Sequence, residues 1–314
     1  MKHKKKLLIS LLVVLLVMTG CSKQLTDKDK KAVTNPETGQ RLTENIICQP
    51  ENATVVKLYE KNNVDLSKLP KCSQISVTTG GYEGLWTTIF VKPLAWILVK
   101  TEKIVKNYGL AIILVTIIIR IILVPFTART AKQSESLKLA QGDLSKLEKK
   151  YANKTDQESM MRKSQEMMMI YKKYNIKPLS GCLFSLIQIP LFFAFYEAMY
   201  RLPVIYEDAL GPLKLGITPM YAIMHGGWYY FIIPVLVAAT TYFSFKLNQG
   251  AVSQEGEQAK TMKMVMNISI IMIIITSFSI PCGIALYWIF NSGFTIVQNL
   301  IVKITNKTDL SRRK

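Results

Sequence analysis

The chain has 314 residues, 49% of them hydrophobic, a mean hydropathy of +0.20 and a formal net charge of +19. The apolar residues fall into long runs separated by basic segments, which excludes an ordinary soluble domain and indicates a polytopic membrane protein whose charge sets topology rather than binding nucleic acid. Only two histidines, His3 and His225, are present, with no HExxH, Walker A or GxSxG pattern, so hydrolytic and zinc chemistry find no support and no catalytic residue, cofactor or metal is expected.

Residues 1–20 have the layout of a signal peptide: a basic start from Met1 to Lys6, an apolar run from Leu7 to Val17, then Met18-Thr19-Gly20. A small residue directly before Cys21 matches a bacterial lipobox, in which Cys21 is diacylated and becomes the new N-terminus. An ordinary cleavage site with an incidental cysteine is the alternative. Residues 21–81 read as an exported polar segment of low order, interrupted by Pro36, Pro50 and Pro70. It contains Cys48 and Cys72, in a compartment where a disulfide could persist, and the sequence leaves bond or free thiols open.

Over 82–107, Leu85, Trp86, Ile89, Phe90, Leu94, Ile97, Leu98 and Ile104 recur at helical spacing, and Lys92, Lys100, Lys103 and Lys106 supply a basic face. This predicts an outer interfacial amphipathic helix with Trp86 and Trp96 at headgroup level, and Pro93 argues against its being unbroken. The first span, 108–126, organises the rest. Gly109 to Phe126 is long enough to cross about 30 Å of hydrocarbon at about 1.5 Å per residue. Arg120 sits well inside it, where a guanidinium costs at least about 2.5 to 3.5 kcal/mol. It either snorkels past Phe126 or is a buried functional group; Thr116, one turn earlier on the same face, favours a polar surface.

Residues 127–178 carry twelve basic against six acidic residues, which places them in the cytoplasm. Thr155-Asp-Gln-Glu158 reads as a capping box after a turn, which predicts a helical hairpin. Met160, Met161 and Met167 to Met169 are expected to pack against the facing helix, with client or partner contact as the alternative. The second span, 179–200, puts Gly181, Ser185 and Gln188 on one face able to turn toward Arg120, and Pro190 should kink it. An outer loop, 201–227, has Arg201 and Lys214 balanced by Glu207 and Asp208. The third span, 228–246, opens on an aromatic belt of Trp228, Tyr229 and Tyr230. A cytoplasmic loop at 247–261, a fourth span at 262–278 and an outer turn at 279–283 follow. The fifth span, 284–302, precedes a basic cytoplasmic tail, 303–314. Trp288, Asn291, Ser292, Thr295, Gln298 and Asn299 give the fifth span a polar face, which needs protein or water opposite it. Interhelical hydrogen bonding and a hydrated groove facing Arg120 are both open readings.

Three blocks, YGLAIILVTIIIRIILVPFTAR, SQEMMMIYKKYNIKPLSGCLFSLIQIPLFFAFYEAM and PCGIALYWIFNSGFTIVQNLI, resemble in order the YidC family of membrane protein insertases, in its Gram-positive lipoprotein form. The resemblance covers roughly Gly84 to Lys303. It implies an all-α integral membrane protein with five transmembrane helices around a hydrophilic groove, an interfacial amphipathic helix and a cytoplasmic helical hairpin. It makes Arg120 the groove's central charge and sets Thr116 and Trp288 on the path of client helices; Gln188, Asn291, Ser292 and Thr295 complete the expected client-binding groove. Ser244 stands where related sequences often carry glutamine, and 22–81 is longer than the lipoprotein form leads one to expect. The implied partners are nascent or newly made membrane proteins and the bilayer, in the plasma membrane of a bacterial cell, with the Sec translocon and the ribosome as further candidates. A small-solute transporter with Arg120 as an anion site is the competing function; it predicts internal repeats, and none is visible.

Overall fold

The computed structural model describes residues 23–154, 156–177, 180–248 and 257–311, with side chains described for 23–154, 156–177, 190–247 and 263–305. The leader, Cys21 and the tip of the 247–261 loop lie outside the described residues, as does the side chain of Gln188. The protein is mainly helical: α1 (Ala53–Lys61), α2 (Lys92–Val105), α3 (Tyr108–Lys150), α4 (Gln157–Lys173), α5 (Ser180–Tyr200), α6 (Pro203–Glu207), α7 (Pro219–Met224), α8 (Ile232–Asn248), α9 (Glu257–Ser277) and α10 (Cys282–Ser311). Between α6 and α7 lies a two-stranded antiparallel ribbon, β1 (Ala209–Leu210) and β2 (Leu213–Lys214). Among the described residues, three helical stretches are long and apolar enough to cross a membrane: Tyr108–Lys150, Trp228–Leu247 and Cys282–Thr305. The chain divides into two compact units.

The first unit comprises 1–116, 188–234 and 277–287. Its N-terminal segment is folded, which corrects the expectation of low order. Backbone bonds from Leu42 N to Val33 O and from Val33 N to Leu25 O, each 2.9 Å, knit its first twenty residues together. The Asn52 side chain caps α1 by accepting from the N–H groups of Thr54 and Val55. Leu25, Val33, Leu42, Ile46, Val55 and Tyr59 form a small core, and the buried Tyr59 hydroxyl donates to Thr43 O at 2.9 Å. Cys48 and Cys72 are disulfide-bonded, with Cα atoms 4.8 Å apart and a sequence separation of 24. Cross-linking a loop of that length removes about 3.5 kcal/mol of chain entropy from the unfolded state, enough to hold a core this small.

Helical structure runs through Pro93 rather than breaking there. A π-helical turn, Thr87–Val91, precedes it, and Pro93 occupies the first turn of α2, the part of an α-helix where proline is tolerated. Lys92 does not lie on an exposed basic face: it is 1% exposed, and Trp86 of the apolar set is 6% exposed. Lys92 Nζ lies 2.9 Å from Glu83 Oε1 and donates to Gly81 O, while Trp86 Nε1 donates to Glu197 Oε2 at 2.9 Å. Arg201, also buried, bonds Glu83, donates through Nε to Asn45 O at 2.6 Å and lies 3.7 Å from Glu197. The loop balance assigned to Arg201 is thus replaced by a five-residue cluster, buried except for Glu83, that ties the N-terminal segment, the approach to α2 and the end of α5. Two cations share Glu83 because neither could be left buried alone. Phe195 and Tyr287 stack at 4.2 Å, and Cys282 N and Gly283 N donate to Ile217 O and Leu215 O, fastening the start of α10 to the 203–231 loop. A side chain at Gly109 would place its Cβ 2.8 Å from that of Leu210, so glycine lets the start of α3 lie against the ribbon.

The second unit comprises 117–187, 235–276 and 288–314. Here α3 continues past Pro125 without interruption and forms an antiparallel hairpin with α4. Two cross-links fix the register: Lys173–Asp143 at 2.7 Å and Lys150–Glu166 at 2.6 Å. Between the helices pack Ala140, Leu144 and Ile176, joined by Met167 and Ile170. Asp156 is the N-cap of α4, its carboxylate accepting from Ser159 N at 2.8 Å; Thr155 lies outside the described residues. The packing expected of the other methionines is not found. Met160, Met161, Met168 and Met169 are all about half exposed, because only one face of α4 meets α3.

Candidate functional site

Arg120 lies in the second unit and is 2% exposed. Its side chain turns inward rather than along the helix to the headgroups, and Nε donates to Asn291 Oδ1 of α10 at 2.7 Å. A neutral amide oxygen is a strong acceptor for a guanidinium and adds no second buried charge. Two turns further along both helices a second polar pair repeats the register. Gln298 Nε2 donates to Thr127 Oγ1 at 2.7 Å, and that hydroxyl donates in turn to Leu123 O at 3.1 Å. Both pairs join residues 171 apart in sequence, so α3 and α10 run parallel with matched register across this seam. Since two helical turns cover about 10 to 11 Å, the pairs act as widely set bolts.

One turn before Asn291, the half-buried Trp288 donates through Nε1 to Thr241 Oγ1 of α8 at 2.9 Å. Ser292 and Thr295 are 9% and 6% exposed; Thr295 Oγ1 donates back to Asn291 O at 3.1 Å. Their hydroxyls therefore belong to the interior of the seam. Thr116 is buried in the first unit, and its hydroxyl donates to Ile112 O of its own helix at 2.6 Å, so it meets its needs without Arg120. Ser244, where related sequences often carry glutamine, is 8% exposed on α8. The structure thus brings Arg120 to Asn291 and Trp288 to α8. Among the described side chains, Trp288, Asn291 and Gln298 of the polar face of α10 make hydrogen bonds to neighbouring helices. Thr127 and Thr241 were missed. Thr127 had been assigned to the cytoplasmic side of the first span, yet it follows Arg120 by seven residues as Gln298 follows Asn291, a coincidence visible in the sequence. Thr241 carries no such signal.

No grouping of three or more His, Cys, Asp or Glu that could hold a metal occurs among the described residues. The seam offers one fixed positive charge, amide and hydroxyl groups around it, and the half-buried indole of Trp288. Such a set can hold a carboxylate or a peptide carbonyl reversibly.

The family model of the 60Kd inner membrane protein matches residues 100–309. Relatives include "Membrane protein insertase YidC" of Oceanobacillus iheyensis, 31% identical across 74% of this chain and 90% of its own length. "Membrane protein insertase YidC 2" of Bacillus anthracis is 32% identical, covering 74% and 87%. "Membrane protein insertase MisCA" of Bacillus subtilis is 31% identical, covering 75% and 86%. Among solved structures, an active YidC insertase with its first transmembrane domain resolved aligns at a TM-score of 0.44 and 21% identity, covering 79% of this chain and 52% of that one. This is a multi-pass membrane protein, and the chain belongs to the 60Kd inner membrane protein family, alongside the YidC and MisCA proteins of bacilli.

Proposed function

We propose that this protein is an insertase that takes client transmembrane segments from the cytoplasm into the bilayer through the site at Arg120, without nucleotide hydrolysis. The observation that carries the reading is a buried arginine in an apolar helix whose Nε is bonded to the neutral amide of Asn291. Asn291 adds no negative charge of its own to the site, so a client carboxylate can compete with it for the guanidinium. In this reading Arg120, Thr116, Gln188, Trp288, Asn291, Ser292 and Thr295 form the client-binding groove, and the bonded seam is its closed state. The polar or acidic tail of a client displaces Asn291 from Arg120 and is held by the charge, which shortens the distance over which polar atoms cross hydrocarbon. The client helix then leaves sideways past Trp288, gaining about 0.3 to 0.6 kcal/mol for each leucine-like residue that reaches lipid. A membrane potential of about 100 mV adds about 2.3 kcal/mol for each acidic charge carried outward.

Five spans fit this reading: the three long apolar helices, with α5 and the apolar part of α9 as the remaining two. The parallel run of α3 and α10 supports an odd count, since the first and last spans must then point the same way. The lipid anchor at Cys21, an outside N-terminal segment, a cytoplasmic hairpin and tail, and contact with the Sec translocon or ribosome belong to the same proposal. The test is Arg120→Ala and Arg120→Lys in a depletion strain carrying a single-span reporter. Failed insertion by the alanine variant at normal abundance, with partial activity of the lysine variant, is expected because the site needs charge more than bidentate geometry. Loss of insertion that tracks lowered abundance would reduce Arg120 to a structural role. Loss confined to one small anion would favour transport.

A further inference from the structure

The first unit contains a cavity of about 200 Å³ between the N-terminal segment and the chain that follows α5, lined by none of the residues of the proposed client-binding groove. We propose that this cavity binds an alkylammonium group. Three carboxylates, Glu37, Glu207 and Asp208, and three tyrosines, Tyr59, Tyr200 and Tyr206, are in its wall, against one basic residue, Lys214.

The carboxylates have only neutral partners. Glu207 accepts from Glu51 N at 2.9 Å, Asp208 accepts from Tyr108 N at 2.6 Å and Ala209 N at 2.7 Å, and Glu37 accepts from the Thr54 hydroxyl at 2.8 Å. No lysine or arginine forms an ion pair with any of the three among the described residues. Burial holds the Glu207 carboxyl above its ordinary range, as expected of an acid taken out of water with no counter-charge. Independently, Tyr206 is 6% exposed, and its hydroxyl has no hydrogen-bond partner among the described residues. A buried hydroxyl without a partner is costly, and a ligand in the cavity would supply one.

The wall suits an organic cation better than a metal ion. The acids do not form a grouping able to hold a metal. Tyrosine ring faces attract ammonium groups, and a compact, strongly hydrated ion would leave the apolar wall uncovered. At about 30 Å³ per water, the volume holds about six or seven water-sized groups, the size of a lysine side chain or a short diamine. Both sources offer the same alkylammonium, one carried on a polypeptide and one free.

The experiment is calorimetric titration of the full chain in lipid nanodiscs with 1,4-diaminobutane and with Nα-acetyl-lysine amide. Nα-acetyl-norleucine amide serves as the uncharged match and magnesium chloride as the metal control. Saturable binding of an alkylammonium probe, at least about tenfold tighter than the norleucine match, is expected. Glu207→Gln keeps an oxygen acceptor for Glu51 N–H but removes the charge, and should weaken binding at least about tenfold. Tyr206→Phe, which breaks no bond of the folded protein, should weaken it about threefold or more. Tighter binding of the lysine amide assigns the site to a polypeptide side chain, and tighter binding of the diamine assigns it to a free amine. Absence of saturable binding by both, equal binding of the norleucine match or magnesium, or unchanged affinity in both variants overturns the assignment.

Discussion

Replacing Asn291 by leucine should destabilise the protein, and replacing Arg120 as well should restore its stability without restoring its function. In the wild type, Arg120 is 2% exposed and its Nε is held at 2.7 Å by Asn291 Oδ1. Asn291→Leu deprives a buried guanidinium of that acceptor; a hydrogen bond to a charged group contributes about 1.5 to 3 kcal/mol. The folded-to-unfolded ratio should therefore fall by about 10- to 150-fold. Arg120→Leu with Asn291→Leu replaces both partners by apolar groups in a lipid-embedded seam, a change that is nearly neutral or stabilising when shapes match. Unfolding in mixed micelles gives the stability, and insertion of a single-span reporter, normalised to abundance, gives the activity. The expected pattern is a destabilised single variant and a stable double variant that fails to insert. Wild-type stability of Asn291→Leu would refute the role of Asn291 in holding the cation. Normal insertion by the stable double variant would refute the need for the charge.

Three further outcomes follow from the same structure. Reducing the Cys48–Cys72 bond, or replacing both residues by serine, should cost the N-terminal segment about 3.5 kcal/mol. Limited proteolysis should then cut between 23 and 81 first, and an unchanged digestion pattern would count against the bond as its main support. Burial raises the Glu83 carboxyl, but the hydrogen bonds from Lys92 and Arg201 outweigh it, so its folded value lies below the ordinary range. The stability it contributes is complete above the ordinary glutamate range and is lost as pH falls through the folded value. Glu83→Gln should therefore be less stable than wild type at neutral pH and lose that acid-side dependence, as acid unfolding of both proteins will show. Serine at Met160, Met161, Met168 and Met169 should each change stability by less than about 0.5 kcal/mol, because these side chains cover no core. A larger loss would mean that the α4 face has a partner in the folded protein.

Much of the membrane-embedded architecture was legible because lipid leaves few choices. Long apolar runs must be helical, and a polar stripe such as Trp288, Asn291, Thr295 and Gln298 must find a protein or aqueous partner. The stripe and Arg120 were both visible, but their pairing was not. Whether a polar face meets water or a neighbouring helix depends on the relative rotation of two helices, which neither sequence encodes locally. The N-terminal segment was misjudged for another reason. Leu25, Val33 and Leu42 are too far apart to show a strand or helix period, Val55 and Tyr59 span a single helical turn, and a disulfide joins turns that have little regular structure. The burial of Lys92 is not legible in the sequence because helical periodicity tells which residues share a face, while the Glu83 carboxylate that draws its ammonium inward lies outside the helix.

The most direct measurement is photo-crosslinking of an arrested, ribosome-bound single-span client from single positions along α10. Positions 288, 291 and 295 share the seam face, while Val297 and Ile301 lie on the opposite face and are exposed. Adducts to the client helix from the seam positions, with none from 297 and 301, are predicted. Equal labelling from both faces, or labelling from 297 and 301 alone, would show that clients do not pass Arg120.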